Sequence, residues 1–519
     1  MPDDVLTRPP STGPTSASSQ EAADAHDLGR FGYKQELRRV LGVYSSFAVA
    51  FSYISPSTGI FTLFAPIGLA IAGPFFFWSW PLVALGQFLV ALNFAEVSSH
   101  FPIAGSVYQW TKYLSNRHYS WFTGWIYLFA GILTVSAVDA TIPIVLIPLL
   151  NNLGVGITST LTSEIVIAAL VLASTTLLNI YGVRLVALVN NTGVVFEILG
   201  MVVFALILLI FYHHQSAGVI FDSSYLGGGG FGSQAGVFLA AMFMSLFVIY
   251  GFDTASTLAE ETKNPRVEAP KAVLASIVGA FIIGGIFLYS TLVAIPDMGK
   301  FVSGAGSASI LSPADIFNAV MPKWLASIYL LIVLAAIYVC CLAIQTSTIR
   351  LAFGMARDGK LPLSRFYRQV SPTLHTPVGA CLVVGAVAAI PLAYGANAIL
   401  LATGATGLIY LSYMLANIAV LAARMKGWPT ERAPFKLGSW GTVLNLLAIL
   451  WGAAMLVNFL WPRITSNPNL NALPNYPSWL GAIGGVSIFE ATVGLILLIG
   501  ALYYVVAQLP KREPTAQAA

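Results

Sequence analysis

Long apolar stretches, separated by short polar connections, set the strongest limit on what this chain can fold into. A helix that crosses a bilayer needs about 20 predominantly apolar residues. Stretches of that kind lie at 41–64, 69–98, 120–149, 163–181, 186–212, 234–260, 271–295, 323–354, 377–394, 396–423, 440–461 and 481–508. The chain is 57% hydrophobic and only 9% charged, whereas a soluble protein is about one quarter charged. We therefore predict an all-α integral membrane protein with twelve transmembrane helices.

The distribution of lysine and arginine predicts how these spans are oriented. With twelve spans, 22 of the 25 basic residues fall on the side that carries both termini, and only Lys300, Lys323 and Arg463 fall on the other. Cytoplasmic loops carry the excess of Lys and Arg. We expect a multi-pass protein of the plasma (inner) membrane with both termini cytoplasmic. Residues 1–30 lack the apolar centre of a signal peptide and are predicted to be a disordered cytoplasmic tail. Residues 509–519 are predicted to be a short, polar cytoplasmic tail.

Several function classes do not fit the sequence. The three cysteines, Cys340, Cys341 and Cys381, lie in apolar runs without His or Cys at ligand spacing, so buried thiols are expected and no metal site or cofactor. Glycines 227–230 are not followed by the Lys-Ser/Thr of a nucleotide-binding loop, which argues against ATP-driven transport. We expect no enzyme activity and no nucleic-acid partner; the partners are membrane lipid and a small molecule, and the oligomeric state is left open.

Two spans carry residues that interrupt helices. Span one contains Ser55-Pro56-Ser57-Thr58-Gly59, and span six contains Tyr250-Gly251-Phe252-Asp253-Thr254. Proline removes a backbone donor and restricts the residue before it, and glycine permits irregular backbone. We predict a break in each span; a kinked but continuous helix is the alternative for span one. The freed N–H groups of the second half of span one suit a carboxylate, and the freed carbonyls of span six suit an ammonium group.

The positions of the two breaks predict an internal repeat. Spans one and six are the first members of two five-span halves, and because five is odd the second half must be inverted in the membrane. Paired interrupted helices point to a midplane transport site. We therefore predict a transport core over residues 31–425 with a 5+5 inverted repeat, about 40–212 and 234–423. Spans eleven and twelve are two C-terminal helices within residues 426–508.

Three motifs resemble those of the amino acid–polyamine–organocation (APC) transporter superfamily. They are Phe101-Pro102-Ile103-Ala104-Gly105-Ser106-Val107-Tyr108 after span two, Gly251-Phe252-Asp253 with Ala259-Glu260-Glu261-Thr262-Lys263-Asn264-Pro265 in span six, and Gly354-Met355-Ala356-Arg357-Asp358-Gly359 at the end of span eight. The Ser55–Gly59 break is most similar to the amino acid/choline transporter branch, which includes permeases for GABA and choline. The resemblance covers spans one to ten.

The resemblance implies a substrate site between the broken helices. By position, Ser55, Ser57, Thr58 and Gly59 would offer amides or hydroxyls to a carboxylate. Tyr250, Gly251 and Asp253 would lie on the amine side, with Phe252 as a gate. For Asp253, an equally good interpretation is a cap on the freed N–H groups of the second half-helix.

Further polar residues are candidates for coupling or gating. Glu197 lies inside span five, where proton-coupled relatives often carry a lysine; it either exchanges a proton or stays protonated and hydrogen-bonded to a neighbouring helix. Asp139 has the same two interpretations with less support. Thr346 and Ser347 of span eight would serve a sodium ion, or simply pack. Glu260 and Glu261, among Lys263, Arg266 and Lys271, are expected to form ion pairs at an inner gate or a structural network, as are Glu96 and Arg357.

These features predict a secondary active transporter that imports an amino acid or small amine by alternating access, coupled to protons. A sodium-coupled symporter or an exchanger of the same fold is the first alternative. A membrane amino acid sensor that binds ligand without moving it is the alternative of another class. A channel would be favoured by a ring of charged pore-lining residues, which the sequence does not suggest.

Overall fold

The computed structural model describes residues 16–227, 230–307, 309–393, 397–461 and 488–511. Regular structure in these residues is helical, apart from one isolated parallel bridge between Leu41 and Thr262. The helices of the first half are α1 Ser16–Gly29, α2 Val43–Ile54, α3 Pro56–Leu63, α4 Ala70–Ala72, α5 Ser79–His100, α6 Ser106–Leu114, α7 Arg117–Asp139, α8 Ile142–Asn152, α9 Leu161–Tyr181 and α10 Val183–Phe211. Those that follow are α11 Gly230–Ala241, α12 Phe243–Val248, α13 Thr254–Thr257, α14 Pro265–Ala294, α15 Met298–Gly306, α16 Pro313–Val320, α17 Lys323–Arg357, α18 Ser364–Tyr367, α19 Val378–Ala393, α20 Ala398–Met425, α21 Gly441–Leu460 and α22 Ile488–Tyr503.

Eight helical segments of the described chain are long and apolar enough to cross a membrane. The first, Val43–His100, has 58 residues and covers the predicted spans one and two. Three shorter apolar helices, Gly232–Val248, Val378–Ala393 and Thr492–Gln508, overlap predicted spans six, nine and twelve. The helical membrane class is therefore confirmed, while the count of twelve crossings and the inverted repeat stay predictions.

The packing of the long helices places the two interrupted ones at the centre. Helix α2 packs against α14, α10 and α17, and α12 packs against α3. Helices α7 and α20 form another close pair beside them. The serine and threonine side chains along these helices bond mostly to carbonyls one turn earlier, as at Thr134 and Thr348, which satisfies their polarity inside an apolar bundle.

The N-terminal region is more ordered than the sequence indicated. The prediction of a disordered tail over residues 1–30 is wrong for residues 16–29, which form α1. Leu28 and Asp24 of this helix are buried, at 1% and 5% exposure. The Asp24 carboxylate accepts from the Asn264 backbone N–H at 3.0 Å, so α1 packs on the segment that follows span six. Residues 1–15 and 512–519 lie outside the described residues.

Two smaller predictions have clear outcomes. Cys340, Cys341 and Cys381 are buried free thiols, as expected. The segment from Ala104 to Asn116, with Tyr108, Trp110 and Tyr113, has the pattern of a short amphipathic helix and predicts an aromatic anchor at the membrane interface, but in helix α6 Tyr108 and Trp110 are at most 1% exposed. The Tyr108 hydroxyl donates to Asp358 at 2.9 Å, so this part of the helix belongs to the protein interior, while the Trp110 Nε1 has no partner among the described residues.

Candidate functional site

The first break is a single residue. Helix α2 ends at Ile54, Ser55 adopts a left-handed conformation with φ 33° and ψ 83°, and α3 starts at Pro56. The fixed φ of proline suits the first helical position, where its missing N–H costs nothing. The Ser55 hydroxyl lies 2.6 Å from that of Thr58. The alternative of a continuous, kinked helix is wrong, and the amino end of α3 opens inside the bundle.

Glu197 of α10 occupies this amino end. Its Oε1 accepts from the hydroxyls of Ser55 at 2.7 Å and Ser57 at 2.6 Å. Glu197 is 1% exposed, and its Oε2 has no partner among the described residues. A helix amino end attracts negative charge. The place predicted for a substrate carboxylate is thus filled by a carboxylate of the protein.

The second break covers residues 249–253. Helix α12 ends at Val248, Gly251 has φ 87°, and α13 starts at Thr254. Asp253 does not cap α13 with its side chain. Instead its Oδ2 accepts from Ser106 at 2.7 Å and Tyr127 at 2.5 Å, and its Oδ1 accepts from Tyr413. Three hydroxyls from three other segments therefore hold a fully buried carboxylate in one orientation.

The two breaks contact each other through their glycines. A Cβ on Gly59 would clash with Val248, the last residue of α12, and a Cβ on Gly251 would clash with the Tyr53 ring at the end of α2. The rings of Tyr53 and Tyr250 lie 6.2 Å apart. Each glycine lets the opposite helix end approach closely, so any larger residue at either position would separate the two half-helices.

The two remaining predicted binding residues, Tyr250 and Phe252, are both buried and contact different neighbours. Tyr250 is 2% exposed, and its hydroxyl lies 3.4 Å from that of Thr134. Phe252 is fully buried and packs against Phe94 and Tyr413, with centroids 6.1 and 5.4 Å away. In this conformation Phe252 belongs to an aromatic cluster with spans two and ten, on the same side as Asp253.

The predicted sodium residues do not converge on span one. The Thr346 hydroxyl donates to Asn179 at 2.7 Å and to the Leu342 carbonyl. The Ser347 hydroxyl lies 3.4 Å from that of Thr254 in span six. Cys340 of span eight reaches the span-one break, and its thiol lies 3.6 Å from the Tyr53 carbonyl.

Glu260 and Glu261 form buried ion pairs, but with other partners than expected. Glu260 pairs with Arg357 at 2.7 Å and Glu261 with Arg350 at 2.8 Å, both in α17. Arg266 instead lies 3.6 Å from Asp27, and Lys271 pairs with Glu268. Glu96 pairs with Arg424. These contacts join ends of spans two, six, eight and ten on the face that is expected to be cytoplasmic, and these ends are called the inner ends below.

A second polar network lies beside them. The Asp358 carboxylate accepts from Tyr33 at 2.8 Å and from Lys112 at 2.7 Å. Burial and the neighbouring Asp358 charge raise the pKa of Tyr33 well above its ordinary value, so its hydroxyl keeps its proton and donates. The segment before span one is thereby held to the end of α17.

Tyr127, Tyr413, Ser106 and Arg350 were not singled out from the sequence. The Tyr413 hydroxyl also accepts from the Gly251 backbone N–H at 3.0 Å, so it binds both the break and Asp253. The position of tyrosines inside apolar spans could have marked Tyr127 and Tyr413 as candidates, since a buried hydroxyl needs a hydrogen-bond partner. Which partner it finds depends on helices that are far apart in sequence.

Comparison with known proteins identifies the family. The sequence model of the amino acid permease family matches residues 41–488. The chain belongs to this family. The permease is 26% identical over 462 residues to the amino-acid permease BAT1 of Arabidopsis thaliana, covering 84% of this chain and 88% of the relative. It is 29% identical over 226 residues to the choline transporter of Saccharomyces cerevisiae, covering 42% and 39%. The proteins of this family are transporters rather than enzymes, as expected.

A solved structure supports the fold of the permease. The crystal structure of MhsT in complex with L-phenylalanine superposes with a TM-score of 0.57, covering 82% of this chain and 99% of the other, at 14% identity. At that identity the similarity concerns the fold alone. The resemblance noted from the three motifs is confirmed at the level of the family, which makes this permease a multi-pass membrane protein that transports amino acids.

Proposed function

We propose that this permease is a secondary active transporter that imports an amino acid or small amine across the plasma membrane, coupled to protons. Alternating access would work around the breaks in spans one and six. The proposal includes twelve spans, a 5+5 inverted repeat and cytoplasmic termini. It is supported by the family and by the close contact of the two helix breaks.

The observation that carries the proposal is the position of Glu197. Its carboxylate uses the Ser55 and Ser57 hydroxyls at the amino end of α3. A substrate carboxylate would need the same donors. Two negative charges at one buried site repel strongly, so the substrate carboxylate replaces that of Glu197 only when Glu197 is protonated and its hold on the serines is weakened.

This competition couples the two ligands. Binding of a substrate carboxylate favours protonation of Glu197, and protonation favours binding of the substrate, because linkage is reciprocal. Among the described residues, titratable side chains that act on the Glu197 carboxylate are Tyr329 and Cys340 of α17. Neither adds a positive charge, so the proton is the counter-charge that the site requires.

The residues beside the span-one break favour a proton rather than a sodium ion as the coupling ion. Sodium prefers oxygen ligands, as hard cations do. The group of span eight next to the Tyr53 carbonyl is the Cys340 thiol, and Thr346 bonds to Asn179. On the other side of the contact, Asp253 is the acceptor we assign to the substrate amine, since its partners are three hydroxyls and no basic side chain of the described residues pairs with it.

Uptake of matched substrates into proteoliposomes tests this function. The pairs are amino acids and the amines that remain after loss of the carboxyl group, such as phenylalanine and phenethylamine, with choline and GABA in the first screen. Uptake of the amino acid should rise on acidification by up to about tenfold per pH unit. The amine lacks the competing carboxylate, so its uptake should depend less on pH.

Three outcomes would contradict parts of the proposal. Uptake that requires a sodium gradient and ignores pH would favour the sodium symporter, and obligatory counter-transport would favour an exchanger. Binding without uptake or exchange under any gradient would indicate a sensor.

A further inference from the structure

A cavity of about 740 Å³ that is lined by several charged side chains lies outside the substrate region, on the face that carries α1. It lies between α1, the segment before span one, the start of α10 and the residue that follows span six. Its lining residues are Glu21, Gln35, Arg38, Arg39, Val40, Ser45, Arg184, Ala187, Leu188, Asn191 and Lys263. This face collects most of the basic residues and is expected to be cytoplasmic.

The charge of the cavity is strongly positive. Four basic side chains line it, Arg38, Arg39, Arg184 and Lys263, against one acidic side chain, Glu21. Within the described chain no ion pair or hydrogen bond engages the charged groups of Arg38, Arg184 or Lys263, and these three residues are exposed. The buried Nε of Arg39 also lacks a partner. Converging cations without counter-charges predict an anionic ligand.

The surroundings of the cavity indicate where that anion comes from. Leu188, which lines it, is 63% exposed, and Val43 and Tyr44 beside Ser45 are 54% and 46% exposed. All three lie near the ends of predicted membrane helices, where exposed side chains are expected to face lipid. A ligand with an anionic head and an apolar tail contacts both surfaces at once.

We propose that this cavity binds the phosphate group of an anionic phospholipid from the inner leaflet. Arginine presents planar pairs of donors that match phosphate oxygens, and lysine adds a point charge. Basic cavities between helices at this depth suit such headgroups. The acyl chains lie along Val43, Tyr44 and Leu188.

The bound lipid also acts on the inner end of span six. Arg39 donates to the carbonyls of Ala259 at 3.0 Å and Thr262 at 2.7 Å, and the N–H groups of Val40 and Leu41 both donate to the Glu261 carbonyl. A phosphate between Arg38, Arg184 and Lys263 links these segments further. The lipid therefore stabilises the conformation described here, in which the inner ends are joined.

The full-length protein in detergent, titrated with phosphatidylglycerol or phosphatidylcholine, tests the proposal. The readouts are native mass spectrometry for bound lipid and thermal stability. Phosphatidylglycerol should bind and raise the melting temperature, whereas phosphatidylcholine should not. The triple variant Arg38→Gln/Arg184→Gln/Lys263→Gln should bind phosphatidylglycerol about tenfold more weakly or worse.

A matched variant controls for net charge. Arg365→Gln/Arg368→Gln/Lys426→Gln removes three exposed basic residues from the same face and should bind lipid like the native chain. Equal affinity of the two triple variants would overturn the proposal, and equal stabilisation by inorganic phosphate would overturn the lipid assignment. Arg184→Glu alone gives the same comparison if the triple variant does not fold. None of these outcomes depends on the transported substrate.

Discussion

Two groups of buried carboxylates differ in the partners that hold them. Glu96, Glu260 and Glu261 lie at the inner ends of the helices, and each pairs with an arginine. Glu197 and Asp253 lie at the two helix breaks, and their partners are hydroxyls of serine and tyrosine. Asp139 has no nitrogen or oxygen donor among the described residues; its neighbour is the Cys341 thiol.

The difference separates carboxylates that hold helix ends together from carboxylates that can exchange a proton or bind a ligand. An arginine supplies a fixed positive charge, so removal of either member of the pair leaves a costly unpaired buried charge. A hydroxyl orients a carboxylate without neutralising it, so the charge balance is left to a proton or to a cationic ligand. The inner pairs therefore suit a structural or gating role, and the carboxylates at the breaks suit transport.

The largest expected effect comes from breaking an inner pair. Arg350→Ala should destabilise the protein by about 3–5 kcal/mol, because Glu261 would remain as an unpaired buried charge. Thermal unfolding and surface expression measure this. The exposed pair provides the control, since Lys271→Ala should change stability by less than about 0.5 kcal/mol. Replacement of both partners, Arg350→Met with Glu261→Leu, should recover much of the loss; equal destabilisation of the double variant would contradict the reason given.

Asp253→Asn tests the other group. Loss of a charged hydrogen-bond acceptor for the substrate amine should cost about 1.5–3 kcal/mol of binding, or about 10- to 100-fold in affinity. Folding should suffer less than binding, because no buried cation is left unpaired. Substrate affinity and melting temperature are compared in one preparation. Unchanged uptake kinetics would remove Asp253 from the binding site.

Glu197→Gln should separate coupling from transport. The amide cannot exchange a proton, so uptake should lose its dependence on the pH gradient while exchange stays measurable; accumulation should fall about tenfold. Asp139→Asn is the comparison, because no hydroxyl of span one binds Asp139, and it should retain the response to pH. Proteoliposome uptake at several external pH values measures both. A Glu197→Gln variant that still follows the proton gradient would exclude this residue as the proton site.

The smallest effect is expected for one of the three hydroxyls on Asp253. Tyr127→Phe removes a donor while two remain, so substrate affinity should fall by about 1 kcal/mol, or roughly fivefold. Tyr119→Phe is the matched control, since its hydroxyl donates to the Leu415 carbonyl and not to Asp253. Equal losses from both variants would mean that the Asp253 network does not orient the site.

The two helix breaks show how far prediction from the sequence reached. Ser55-Pro56 interrupts span one at the expected residue, and Gly251 lies in the interruption of span six. These outcomes follow from local rules, because proline and glycine restrict or free the backbone wherever they stand. The side chains that surround the breaks could not be predicted from these local rules. A carboxylate was expected at the amino end of α3, but the residue that fills it comes from α10, 140 residues beyond Ser57.

The ion pairs give the same lesson. Glu260 and Glu261 were correctly expected to be paired, yet the basic residues nearest in sequence are not their partners. Arg350 and Arg357 reach them because α17 packs beside the inner end of span six. The ordered α1 was also missed: its polar composition predicted disorder, whereas Leu28 and Asp24 find buried contacts that only the folded bundle provides.

By itself, the sequence determined the membrane class, the family and the places where helices end, because hydrophobic length and backbone restriction act over a few neighbouring residues. Only the tertiary structure decided which charges neutralise one another and which remain open to a proton or ligand. Those partners depend on side chains brought together from distant spans, and in a low-dielectric interior the identity of the partner decides what a carboxylate does.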